Sequence, residues 1–124
     1  MNPAYRTAVF HAEEKLPTTA FSIVTAWNPN GTHATAAENQ NADRELEATI
    51  RALGESPIRI TGMNKEDTHR ELGWTILDNE AAIGLGKQFR QEAIYRVSQN
   101  RLLLIHLPSG AEEDLGDWRN FLIQ

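Results

Sequence analysis

Residues 18–27, Thr-Thr-Ala-Phe-Ser-Ile-Val-Thr-Ala-Trp, constrain the fold more than any other stretch of the chain. Strand alternation puts Phe21, Ile23, Thr25 and Trp27 on one face and Ala20, Ser22, Val24 and Ala26 on the other. A strand that is apolar or small on both faces must be covered on both, so it belongs near the middle of a sheet. It ends abruptly. Asn28-Pro29-Asn30-Gly31 supplies a turn, with the fixed φ of proline followed by two residues that tolerate left-handed backbone.

The helix signal comes next. Thr35 and Glu38 have capping-box spacing and predict a helix from about Ala36 to Leu53 that stops at Gly54. Its apolar face is Ala42, Leu46, Ile50 and Leu53, and one turn further back that face reaches Asn39. "PIRIT" and "LGWTIL" read as strands on either side of a polar loop over 62–70. Asp78 or Asn79 caps a second helix running to about Gln91, with Ala82, Leu85, Gly86 and Phe89 facing the sheet. Gly84 and Gly86 weaken that helix unless something packs closely against it. "AIYRVS" and "RLLLIHL" flank Gln99-Asn100 as a hairpin, and the N-terminal "TAVF" is a strand or a mixed segment.

The order β-α-β-β-α-β-β, with right-handed crossovers, predicts both main helices on one face of the sheet. The expected fold class is α+β: a two-layer α/β sandwich on a mixed, mostly antiparallel sheet of four to six strands, related to split β-α-β folds. With 124 residues and no Pro-, Gly- or Ser-rich linker, residues 1–124 form one expected domain. Residues 109–124 are an acidic, amphipathic C-terminal segment that docks on it. There Ser109 and Glu112 have cap spacing, and Leu115, Trp118 and Leu122, with Phe121 beside them, recur at helical intervals.

Composition limits function by exclusion. The chain has no cysteine, so thiolate chemistry, disulfides and cysteine metal sites are out. A net charge of −5 with scattered basic residues argues against nucleic acid as a partner. No membrane-length apolar run and no signal-peptide layout is present, so a cytoplasmic location is expected. His11, His33, His69 and His106 have no ligand spacing, no metal or cofactor is implied, and the motifs of nucleophile elbows, P-loops and zincins are missing.

What remains is a set of polar residues near buried faces: Thr25 on the strand face of Ile23 and Trp27, Asn28 at the end of that strand, Asn39 on the helix stripe and Gln91 at the end of the second helix. Buried amides need partners. Asn28 and Asn39 therefore either lock the intervening loop by bonding to backbone or line a polar pocket at the strand end, where α/β ligand sites often form.

"TAWNP" at 25–29, Glu38-Asn39, Gly62, Glu71 and "FRQEAIY" at 89–95 together resemble a bacterial domain-of-unknown-function family, number 3293. Arg90 stands where the pattern has glycine, and the segment before "TAFSIV" is shorter than the pattern's. The resemblance adds Tyr5, Thr7 and Glu71 as candidates and brings no mechanism. It implies a small bacterial domain, which we read as binding a polar or nucleotide-like small molecule through Asn28, Asn39, Glu71 and Gln91. Whether it is an enzyme is left open; Glu71 would be the general base if burial raised its pKa. The alternative is a protein-interaction or inhibitor module that uses the acidic surface with Trp118 and Phe121, the polar residues being purely structural.

Overall fold

A computed structural model of the chain describes residues 1–123. Its strands are β1 (Val9–Ala12), β2 (Phe21–Thr25), β3 (Arg59–Met63), β4 (Arg70–Ile76), β5 (Ala93–Ser98), β6 (Arg101–His106), β7 (Glu112–Asp117) and β8 (Leu122–Ile123). Two helices, α1 (Ala36–Ala52) and α2 (Asn79–Gln88), interrupt them, together with three short 3-10 turns at Pro3–Arg6, Pro29–Gly31 and Trp118–Asn120. All eight strands join one sheet in the order β7-β6-β5-β2-β4-β3-β1-β8. Every pairing is antiparallel except β1 with β8.

The middle of that sheet, β5-β2-β4-β3, is the interleaved pair of β-α-β units that the pattern implies, with β2 between β5 and β4. The α+β class stands, but the predicted two-layer sandwich on four to six strands does not. Two strands extend each side, and the sheet curls into a half-barrel. Geometry requires the curl. Asp117 still pairs with Arg101 at one edge, and Leu122 already pairs with Phe10 at the other. Five residues span at most ~18 Å, whereas eight flat strands would hold their outer members ~34 Å apart.

Curling gives the two faces different cores. Outside, α1 and α2 cover Val24, Ala26, Trp74, Ile76, Ile94 and Ile105 with Leu46, Ile50, Ala82 and Leu85. Inside, Phe10, Phe21, Ile23, Tyr95, Leu102, Leu104 and Trp118 pack on one another. The Trp118 ring lies 5.5 Å from Phe10 and 6.0 Å from Phe21, between centroids. The helix expected over the tail is thus replaced by β7, a 3-10 turn and β8, while Gln124 lies outside the described residues.

Local rules account for most boundaries. Both capping-box bonds of α1 are made: Glu38 N–H donates to Thr35 Oγ1 at 3.1 Å, and Thr35 N–H donates to Glu38 Oε1 at 3.0 Å. Gln99 and Asn100 both take positive φ, 51° and 62°, as the tight β5–β6 turn demands. Leu53, expected on the buried stripe of α1, is 56% exposed, and Asp43 is buried in that row instead. Asp43 is satisfied there by a bidentate pair with Arg59 on β3, at 2.8 and 2.7 Å. The Arg59 guanidinium in turn lies 3.8 Å from the centroid of Trp74.

Two glycines separate packing from propensity. A Cβ on Gly73 would stand 2.7 Å from the Val24 carbonyl oxygen, which is backbone of the adjacent strand and cannot yield. On Gly84, within α2, it would meet nothing within 4 Å. Urea denaturation should therefore show Gly73→Ala losing ~2 kcal/mol or more, and Gly84→Ala gaining ~0.5–1 kcal/mol. Equal effects of the two would contradict this packing.

Candidate functional site

The inner core does not fill the half-barrel. At one end it leaves a cavity of about 330 Å³, open to solvent and walled mostly by apolar side chains. Ile23, Thr25 and Trp27 come to it from β2 and its continuation, Phe10 from β1, Ile60 and Gly62 from β3, and Ala93 and Tyr95 from β5. The first 3-10 turn lies over part of it through Ala4 and Tyr5. That turn is anchored from below, where the Tyr95 hydroxyl donates to the Tyr5 carbonyl oxygen at 2.7 Å.

Polar groups gather at the mouth, where β2 ends and the β3–β4 hairpin turns: Asn28, His33, Asn64, His69, Glu71 and Gln91. Asn28 adopts left-handed backbone (φ 48°, ψ 62°), which an asparagine tolerates better than most residues. Its N–H donates to Asn39 Oδ1 at 2.9 Å, while its own Oδ1 accepts from Asn39 Nδ2 at 3.1 Å and from Ala34 N–H at 3.0 Å. This reciprocal amide pair fixes the loop between β2 and α1. Asn39, only 3% exposed, serves that lock and does not wall the cavity.

The remaining Asn28 donor, Nδ2, points to Glu71 Oε2 at 3.4 Å, and His69 Nε2 lies 2.9 Å from the same oxygen. Glu71 Oε1 has no hydrogen-bond partner among the described residues. Gln91 is similar: Nε2 donates to the carbonyls of Trp27 (3.1 Å) and Phe89 (3.2 Å), leaving its side-chain oxygen unengaged among those residues. The backbone binds the two turns as well, through Asn30 N–H donating to the Arg90 carbonyl at 2.8 Å. Arg90 holds φ at 57°, a left-handed position at the end of α2. A glycine there avoids a cost of ~1–2 kcal/mol.

Of the residues singled out from sequence, Tyr5, Asn28, Glu71 and Gln91 meet at the cavity, and Asn39 stands behind Asn28. Thr7 does not join them; it is exposed, with its hydroxyl 3.5 Å from the Ala4 carbonyl oxygen. Trp118 is 6% exposed within the inner core, and Phe121 packs against the same cluster. Thr25, placed by alternation on the strand face of Ile23 and Trp27, also lines the cavity, as do His33, His69 and Tyr95, which the sequence does not single out as site residues. His69 stands two residues before Glu71, so strand alternation puts the two side chains on one face, and the alternation of "AIYRVS" likewise places Tyr95 on a sheet face. Among the described residues no three His, Asp or Glu side chains are grouped to hold a metal ion, and no helix is long and apolar enough to cross a membrane.

The phenols sense the carboxylate. Burial, then the charges of Glu71 and Glu92, push the Tyr5 pKa up to about 12, and burial foremost raises Tyr95 too, helped by Tyr5 and Glu71. Both stay protonated far into the alkaline range. A phenol ionises more readily in the unfolded chain, at about pH 10. The stability these two contribute is therefore intact below pH 10 and is lost as pH rises from there through 12. They are the only tyrosines in the chain. Absorbance at 295 nm should show almost no tyrosinate in folded protein at pH 10.5, and about three-quarters ionisation at the same pH after denaturation.

The amide lock gives a second expectation. Asn39→Ala strips Asn28 of two bonds and should cost ~1–3 kcal/mol in urea denaturation. Retained wild-type stability would mean that the pair does not hold the loop.

Set beside known proteins, the chain is matched by the family model described as "Protein of unknown function (DUF3293)" over residues 24–94, more than half its length. That span includes the end of β2, the amide lock, Glu71 and Gln91. No curated protein and no solved structure matched.

Proposed function

This chain belongs to the DUF3293 family, whose description assigns no activity, and we propose that it binds a small organic molecule in the cavity at the open end of the half-barrel. The observation that carries the reading is convergence. Four sequence elements far apart in the chain bring Tyr5, Asn28, Glu71 and Gln91 to one apolar cavity, whose exposed acceptors, Glu71 Oε1 and Gln91 Oε1, are left unused by the described residues. A volume of about 330 Å³ lies at the small end of ligand sites.

The lining also narrows the polar or nucleotide-like class. No Lys or Arg stands among the residues that wall the cavity, so a phosphate would find no permanent counter-charge there. A flat or compact apolar body with a hydrogen-bonding head fits better, as in a base, nucleoside or amine. Recognition of a protein partner through Trp118 would require opening the inner core, because that ring is packed on Phe10 and Phe21.

A thermal-shift screen with a metabolite collection should yield compounds that raise the Tm of the wild-type protein. Glu71→Ala, altering a partly exposed side chain, should keep the unliganded Tm within about 2 °C and abolish those shifts. Hits that stabilise both proteins equally, or no hit at all, would count against the cavity as the binding site.

A further inference from the structure

We propose that the ligand of this cavity is a small organic cation, an ammonium group carried on an apolar or aromatic body. This inference rests on the small-molecule reading above and adds to it the charge of the ligand.

Three features of the cavity coincide. First, Glu71 is the only residue with a formal charge among those that wall it, apart from whatever charge His33 and His69 carry. Its Oε2 is engaged by Asn28 and His69, while Oε1 remains without a donor from the described residues. Second, the other unengaged side-chain oxygen at the mouth, Gln91 Oε1, can only accept. Its orientation is fixed because Nε2 donates to two backbone carbonyls. An ammonium offers several donors and no acceptor, which complements a mouth furnished with a carboxylate and an amide oxygen. Third, the wall below is aromatic, made by Tyr5, Phe10, Trp27 and Tyr95, and ring faces attract a cation within ~6 Å.

The electrostatic field has the matching sign. Glu71 raises the pKa of both phenols, so its charge reaches into the cavity, where no Lys or Arg stands to cancel it. The net charge of −5 favours approach of a cation from solution. An anion would meet the Glu71 carboxylate and the Gln91 oxygen, and of these groups only the Trp27 indole N–H, unpaired among the described residues, offers it a donor.

Three probes of one shape separate the possibilities: 2-phenylethylammonium, the neutral 2-phenylethanol and the anionic phenylacetate. Each is titrated at pH 7.5 into the full chain, and the Trp27 indole N–H and the Gln91 side-chain amide are followed by NMR. The expected order of affinity is ammonium, then alcohol, then carboxylate, with about tenfold or more between the first two. Glu71→Gln should bring the ammonium down to the affinity of the alcohol and leave the alcohol unchanged. Equal affinities in the wild type, preference for the carboxylate, or an ammonium preference that survives Glu71→Gln would each overturn the cation inference and leave small-molecule binding standing. Silence with all three probes overturns it too, and the metabolite screen then judges separately whether the cavity binds anything. The wild-type comparison needs no variant, so it holds even if Glu71→Gln fails to fold.

Discussion

Trp118 sits where the two ends of the sheet are drawn together. The backbone N–H of Trp118 donates to the Asn100 carbonyl in the β5–β6 turn at 2.8 Å, and three residues later the Phe121 carbonyl accepts from Phe10 N–H on β1 at 2.7 Å. That short bridge joins regions separated by most of the sheet's width, and it is possible only because the sheet bends. Burial of one indole, removing on the order of 150–250 Å² of surface from water, helps stabilise the bend. The inner face then becomes a trough with an aromatic floor, and the cavity is the part of the trough that the core leaves unfilled.

Residues 21–27 and 35–54 were legible because their signals are local. Alternation, a turn and a capping box act within a few residues, and each survives in the structure with its bonds made. The outer strands were not. β7 is Glu-Glu-Asp-Leu-Gly-Asp, an edge strand whose charged residues need no second sheet face to cover them, so it carries no alternation to detect. Leu115, Trp118 and Leu122 have a spacing that suits a helix, yet a strand followed by a 3-10 turn also brings Leu115, Trp118, Phe121 and Leu122 onto the inner core. Periodicity over so short a span cannot separate the two.

At the site the same division holds. Asn39 was found by extending a helix stripe, a local inference, and it is buried as that stripe requires. Its partner could not be read from sequence, because the Asn28–Asn39 pair depends on how α1 returns to β2. Asp43 falls in the same row but, being charged, is not read as part of an apolar stripe; its burial makes sense only once Arg59 arrives from β3 at 2.7 Å. Glu71 and His69 become neighbours of Asn28 only through the register that sets Gly73 opposite Thr25.

The bridge at Trp118 also imposes an order in time. Phe10 walls the cavity and rests against Trp118, and β1 pairs with β8 across more than a hundred residues of chain. Contacts so distant in sequence form slowly, because a long loop must close before any of them is made. On the ribosome, β2 through β6 and both helices can assemble while the cavity is still without its floor. The cavity is therefore one of the last features this chain completes, closed only after residue 118 has been synthesised and the two edges have met.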